Sequence, residues 1–230
     1  HFDHRISAVR NDQLGDLAAD INRMADDVQR MLDAKQQLLL GISHELRSPL
    51  SRIRLALALA EDSPDNRGLR DDVAEMEKII ATLLEAERLN TRHATLRVTS
   101  VFAGQLVDRL VSDYFSSERE RIRVSGPEDL RVQVDEARIA LMLKNLVSNA
   151  LRYTPADHGT VDIDFASWDG HWQISVSDQG PGIAPDQAEQ IGEPFYRGDP
   201  SRTRDTGGSG LGLYLARLVA TAHGGSLELD

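Results

Sequence analysis

Gly41-Ile42-Ser43-His44-Glu45-Leu46-Arg47-Ser48-Pro49-Leu50 sets the reading of the first half of the chain. Ile42 and Leu46 stand four residues apart and belong to a stripe that takes in Leu38, Pro49 and Ile53. Upstream, Ile21, Met24, Val28 and Met31 are spaced three, four and three. This rhythm predicts a helix that packs on partner helices along a narrow apolar seam. With Ile42 and Leu46 on the seam, His44 lies about 200° away at ~100° per residue, on the outer face. An imidazole nitrogen there can accept a phosphoryl group, and Glu45 beside it can take the ring proton or orient the ring. Pro49 has no N–H and predicts a kink that loosens the helix around His44.

Asp62-Ser63-Pro64-Asp65-Asn66-Arg67-Gly68 is dense in turn formers and predicts the break. A second helix follows, with Leu69, Val73, Met76, Ile80 and Leu83 spaced four, three, four and three, ending near Asn90. Two amphipathic helices joined by a short turn make a hairpin, and one hairpin leaves its seam half covered. Pairing two hairpins into a four-helix bundle buries the seam, so a homodimer is expected.

Beyond the linker Thr91-Arg92-His93 the pattern changes. Helical stretches are expected near Val101–Phe115, Asp135–Tyr153 and Leu211–Ala222. Strands are expected at Ile122–Ser125, Arg131–Val134, Thr160–Ala166, Trp172–Ser177 and Ser226–Leu229, with a hairpin turn at Ser167-Trp168-Asp169-Gly170. The fold class is therefore α+β: a helical hairpin forming a dimeric four-helix bundle, then a two-layer α/β sandwich.

Composition narrows the function. Of 230 residues, 40% are hydrophobic and 27% charged, as in a globular protein. A net charge of -11 repels phosphate backbones, so no nucleic acid partner is expected. There is no cysteine, which excludes disulfide and thiol chemistry. No run of about 18 apolar residues is present, and no signal peptide. The chain begins at His1 and ends on Leu227-Glu228-Leu229-Asp230, so both ends are expected to continue into a longer protein.

Three further segments carry chemistry. In Lys144-Asn145-Leu146-Val147-Ser148-Asn149-Ala150-Leu151-Arg152-Tyr153, Asn145 and Asn149 share a helix face. An Asn carbonyl oxygen is a hard neutral ligand, suited to Mg²⁺ that already carries phosphates. Arg152 can meet phosphate and Tyr153 can stack on a base. In Asp178-Gln179-Gly180-Pro181-Gly182-Ile183 the glycines permit close approach, and Asp178 can accept from an amino group such as that of adenine. Gly207-Gly208-Ser209-Gly210-Leu211-Gly212-Leu213 opens a helix, where bare N–H groups make an anion site. It is neither the Walker nor the Rossmann pattern. Between them lies Glu193-Pro194-Phe195-Tyr196-Arg197-Gly198, within a polar stretch from Ala184 to Thr206 that can close over a ligand as a lid. Taken singly, these segments also describe a solvated histidine, polar residues on a wet helix, a tight turn and a surface loop.

Taken in order, they resemble the sensor histidine kinases of two-component systems. His44 to Leu50 resembles the H box, Asn145 to Asn149 the N box, Asp178 to Gly182 the G1 box, Phe195 the F box, and Gly208 to Gly212 the G2 box. The resemblance implies a dimerisation and phosphotransfer hairpin at 35–92 and a GHKL-type ATP-binding domain at 93–230, truncated at its C-terminus. Asn11-Asp12-Gln13-Leu14-Gly15-Asp16-Leu17 and Ile21-Asn22-Arg23-Met24 resemble the end of a HAMP relay over residues 1–34, with Gln13 where the family usually has Glu.

The implied roles follow residue by residue. His44 takes the γ-phosphoryl group of ATP, and Glu45 serves as base or holds the ring. Asn149 coordinates Mg²⁺, with Asn145 assisting near the phosphates. Asp178 reads the adenine amino group beside Gly180 and Gly182, Tyr153 contacts the base, and Arg152 the phosphates. Gly208, Gly210 and Gly212 cradle phosphate, and Arg197, just after Phe195, touches the γ-phosphate. The phosphoryl group then passes to an aspartate on a response regulator receiver domain, docked near Arg47. Ser48 stands where relatives that also dephosphorylate the regulator carry Thr or Asn. The implied whole is a bacterial membrane receptor of which this is the cytoplasmic portion. The resemblance weighs against a water-consuming ATPase of the chaperone or topoisomerase type, which lacks an upstream H box, and against a non-enzymatic scaffold.

Overall fold

The computed structural model describes residues 13–61, 63–90, 96–155, 157, 159–184, 187, 190–196 and 210–229. The chain divides into two compact units, His1–Ile80 and Ala81–Asp230. The expected readings at Asn11, Asp12, Asp62, the linker 91–93, Arg197, Gly208 and most of the lid lie outside the described residues.

In the first unit, α1 (Gln13–Leu59) is one helix that runs unbroken through Pro49. The missing N–H of Pro49 leaves the Glu45 carbonyl without its i+4 donor. The break before α2 (Pro64–Asn90) is shorter than the turn-rich sequence suggests. Ser63 caps the new helix, its Oγ accepting from Asn66 N at 3.2 Å. Pro64 then sits at the first helical position, where a fixed φ is an advantage and a missing N–H costs nothing. Arg70 closes the hairpin by donating from Nη2 to Leu57 O at 2.8 Å, satisfying a carbonyl at the end of α1.

Leu50, Leu57 and Val73 are buried together with Ile80 packed against them. Ser43 is also buried, so Ser43, Leu50 and Leu57, seven residues apart, form the inner face of α1. The Ile42–Leu46 stripe is instead exposed in the single chain, along with Met24, Met31, Leu38 and Ile53. A two-helix hairpin covers one side of each helix, and α1 carries apolar residues on more than one side. His44 is exposed, as expected.

The second unit begins within α2, whose Ala86 and Leu89 are buried in its core. Strand β1 (Thr99–Phe102) pairs antiparallel with β3 (Arg131–Val134). Strands β2 (Ile122–Ser125), β4 (Val161–Trp168) and β5 (His171–Ser177) form the main sheet in the order β2-β4-β5. β2 and β4 are parallel, β4 and β5 antiparallel. Helices α3 (Ala103–Tyr114), α4 (Glu136–Tyr153) and α5 (Gly212–Ala222) supply the second layer. Val161, Ile163 and Phe165 alternate inward along β4 onto Leu143, Val147, Leu215 and Val219, so one sheet face is buried. This is the expected two-layer sandwich.

Three expectations change and one element is added. Val101 and Phe102 are strand, not helix, because β3 offers them a ladder; Phe102 at the α3 N-cap makes no side-chain capping bond that would mark the boundary. Ser116–Arg121 forms an unforeseen 3₁₀ helix. The β4–β5 turn narrows to Asp169-Gly170, with φ of 49° and 76°, the two positive values a type I′ hairpin needs. Residues 226–229 form no strand, since an extended segment becomes a strand only by sharing a ladder, and none is made there.

Leu143 is fully buried between sheet and helices, so Leu143→Ala is expected to destabilise the second unit by about 2–5 kcal/mol in urea unfolding. Trp168→Ala at the hairpin tip, where the side chain is 74% exposed, is expected to change it by less than about 0.5 kcal/mol.

Candidate active site

Helix α4 organises the site. Asp135 caps its start, Oδ1 accepting from Arg138 N at 3.2 Å, and Ile139, Met142, Leu143, Val147 and Ala150 bury its apolar face. That burial leaves Asn145, Asn149 and Arg152 half-buried along one edge and Tyr153 49% exposed at the end. Asn145 Nδ2 donates to Leu141 O at 2.8 Å, which pins the amide and fixes where Oδ1 points. A Cβ built on Gly212 would stand 3.1 Å from that Oδ1, so the start of α5 rests against Asn145 with room for little beyond a glycine. The amide of Asn149 has no hydrogen-bond partner among the described residues, which leaves its carbonyl oxygen open to a ligand.

The C-terminal end of α4 is tied to the Asp178 segment. Thr154 is buried, and its Oγ1 accepts from Gln179 N at 3.3 Å. Asp178 Oδ1 accepts from Gly180 N at 2.8 Å, an Asx turn that leaves Oδ2 available. A Cβ on Gly180 would lie 2.7 Å from Asp178 Oδ1 and 3.1 Å from Tyr153 Cβ, so a larger residue there would displace the Asp178 carboxylate from its turn. Arg121 braces the loop from the far side. Its Nη2 donates to Thr154 O at 3.0 Å and Pro155 O at 3.2 Å, and its Nε to Gly159 O at 3.4 Å.

Phe195 and Gly210 meet. Phe195 N donates to Gly210 O at 3.0 Å, and a Cβ on Gly210 (φ 68°) would strike the Phe195 carbonyl carbon at 2.8 Å. Phe195 itself has φ 66° and is 57% exposed, a costly conformation for a residue with a Cβ. Arg217 Nη2 pairs with Glu193 Oε1 at 3.2 Å and packs beside Gly192, linking α5 to the segment before Phe195.

The structure thus forms three sets of direct contacts around α4 and α5: Asn145 with Gly212, Tyr153 and Asp178 with Gly180, and Phe195 with Gly210. Gly182 is exposed with φ 74° just beyond the Asx turn. His44, Glu45 and Ser48 lie on the exposed side of α1 in the first unit, where Ser48 Oγ accepts from Arg52 Nη1 at 3.2 Å. Among the described residues there is no cluster of three His, Cys, Asp or Glu side chains able to hold a metal. A magnesium site here would rest on Asn149 and on the ligand's own oxygens, as Mg²⁺ sites on phosphates commonly do. Thr154 and Arg121 do not stand out in the sequence. Thr154-Pro155 directly after the helix is the one signal that marks the loop as a fixed helix end.

Residues 34–92 match the family model of the His kinase A phospho-acceptor domain, and residues 134–230 that of the histidine kinase-, DNA gyrase B- and HSP90-like ATPases. Sensor protein RstB of Escherichia coli strain K12 is 33% identical over 100% of this chain and 53% of its own length. Sensor protein PfeS of Pseudomonas aeruginosa is 35% identical over 96% of this chain and 49% of its own. The chain therefore spans about half the length of these relatives. The crystal structure of full-length ShkA in complex with AMPPNP aligns with a TM-score of 0.64 and 26% identity, over 84% of this chain and 43% of that one. The chain belongs to the sensor histidine kinases of two-component systems, with the phospho-acceptor hairpin and the ATPase-type sandwich both present.

Removing the buried Thr154 hydroxyl by Thr154→Val strands the Gln179 N–H. Urea unfolding is expected to register a loss of about 1–3 kcal/mol.

Proposed function

We propose that the chain binds ATP in its second unit and phosphorylates its own His44, then passes the phosphoryl group to an aspartate of a response regulator. The observation that carries this reading is the convergence of Asn145, the Asp178–Gly180 turn and Gly210–Gly212 on α4, in a chain whose α1 exposes His44. Asp178 Oδ2 would accept from the adenine amino group, with Gly180 and Gly182 letting the base approach and Tyr153 lying against it. The N–H groups at the start of α5, from Gly208, Gly210 and Gly212, would hold phosphate oxygens, with Arg152 and Arg197 adding charge. Asn149, seconded by Asn145, would hold Mg²⁺, which supplies charge neutralisation on the phosphates. Phe195 is proposed as the anchor of the lid.

In the transfer, the lone pair of a His44 ring nitrogen forms the P–N bond as the P–O bond to ADP breaks. Glu45 takes or holds the proton on the other ring nitrogen. The nucleotide site contributes mainly by positioning and charge neutralisation, while His44 supplies the nucleophile.

The exposed apolar stripe of α1 supports a homodimer through a four-helix bundle. The exposed surface at Arg47 supports docking of a receiver domain. The hydroxyl of Ser48, beside His44, supports a regulator phosphatase activity. We assign residues 1–34 to the end of a HAMP-like relay, 35–92 to the phosphotransfer hairpin and 93–230 to the catalytic domain. The full-length protein is proposed to be anchored in the bacterial inner membrane, with this portion in the cytoplasm; no helix among the described residues is long and apolar enough to cross a membrane.

With ATP labelled in its terminal phosphate, the protein is expected to acquire acid-labile label that His44→Gln abolishes and Asn149→Ala reduces by about ten- to a hundredfold. Label on an acid-stable residue, or unchanged in His44→Gln, overturns the reading. Decay of the phosphorylated regulator is expected to accelerate with this protein and ADP, and Ser48→Ala to remove the acceleration.

A further inference from the structure

His223 lies outside every motif considered so far, yet it joins the two helices that carry the nucleotide-binding groups. Its Nδ1 lies 2.8 Å from Val219 O, a carbonyl that can only accept. Nδ1 must therefore carry the proton, and Nε2 is left with a bare lone pair. That lone pair accepts the backbone N–H of Asp135 at 3.1 Å. Asp135 is the N-cap of α4, and its own carboxylate is occupied: Oδ1 by Arg138 N, and Oδ2 by Arg97 N at 2.9 Å. In a capping box a Glu or Gln three residues on would accept the N-cap N–H. Here that position is Arg138, which has no acceptor, and His223 supplies it from another helix.

The placement is rigid. His223 is the C-cap of α5, followed by Gly224 at φ 79°, with Gly225 N donating to Ala220 O at 2.9 Å. Helix α5 thus touches α4 at both ends: Gly212 against Asn145 Oδ1, and His223 on Asp135. The separation of ten positions between Asp135 and Asn145 on α4 matches that of eleven between Gly212 and His223 on α5, so the two attachments together define the register of an antiparallel pair.

The geometry points to His223 as a positioning residue for nucleotide binding, setting where the N–H groups of Gly210 and Gly212 stand relative to Asn149. This rests on the nucleotide reading above. The test is autophosphorylation rate against ATP concentration in the 230-residue chain, with hydrogen exchange at the Asp135 amide read on the same samples. Gln places a carbonyl oxygen where Nε2 stands, whereas Asn reaches only the Nδ1 position. His223→Gln is therefore expected to keep KM for ATP within about twofold, and His223→Asn and His223→Leu to raise it about tenfold with kcat little changed and Asp135 exchange accelerated. A role confined to stability would lower the active fraction, hence kcat, and leave KM alone. Equal KM in Gln, Asn and Leu variants of an active protein overturns this inference alone. A wild-type protein that binds no ATP overturns the nucleotide reading, and this inference with it.

Discussion

Ile139, Met142, Leu143, Val147 and Ala150 commit one face of α4 to the core of the second unit, and the placement of the α4 groups proposed to meet the nucleotide follows from that commitment. Once those side chains are buried against β4 and α5, the opposite edge of the same helix must carry Asn145, Asn149 and Arg152 at the border between protein and solvent. A helix rotated by one residue about its axis would drive an asparagine amide into an apolar core, where an unpaired polar group is costly. The site is thus held in place by hydrophobic packing, and its polar residues need to contribute little to stability themselves.

The segments around α4 are fitted to it by small residues and by backbone hydrogen bonds. A Cβ on Gly210 would collide with the Phe195 backbone, and one on Gly212 or Gly180 would crowd the Asn145 amide or Tyr153 at 3.1 Å. Thr154 and Arg121 fix the loop between α4 and β4, and through Gln179 they fix the turn that presents Asp178. Phe195 is held at a positive φ beside Gly210, so strain is concentrated within the proposed lid. The result is an edge that presents the neutral amides of Asn145 and Asn149 beside the start of α5. Such an edge suits a ligand that brings its own negative charge and metal, and it is compatible with a chain whose net charge is -11.

Much of this arrangement is legible in the sequence, for identifiable reasons. β2 and β3 are bounded by turn formers and apolar alternation, and both ends of each are read correctly. α4 is announced by Asp135 at its cap and by a long regular period. β1 is not legible, because Val101 and Phe102 continue smoothly into the apolar pattern of α3, and the strand exists only through β3. Leu227 and Leu229 alternate as a strand does, yet no partner ladder forms there. In the hairpin, Ile42 and Leu46 stand out as the seam, but the face buried within one chain runs through Ser43, Leu50 and Leu57; periodicity shows that a helix has an apolar stripe, not which partner covers it. The motif residues are visible from their types and spacing. The residues that bring them together, Thr154, Arg121 and His223, act through contacts 25 to 88 positions apart in sequence, and beyond Thr154-Pro155 marking a helix end they give no local signal.

The central claim is that phosphorus from ATP ends on the imidazole exposed by α1. Peptide mapping by mass spectrometry at alkaline pH, after incubation with ATP and Mg²⁺, tests it most directly. The account predicts a phosphoramidate on the peptide carrying His44 and on no other histidine peptide. Phosphate recovered only as inorganic phosphate, or bound to a different side chain, would contradict it.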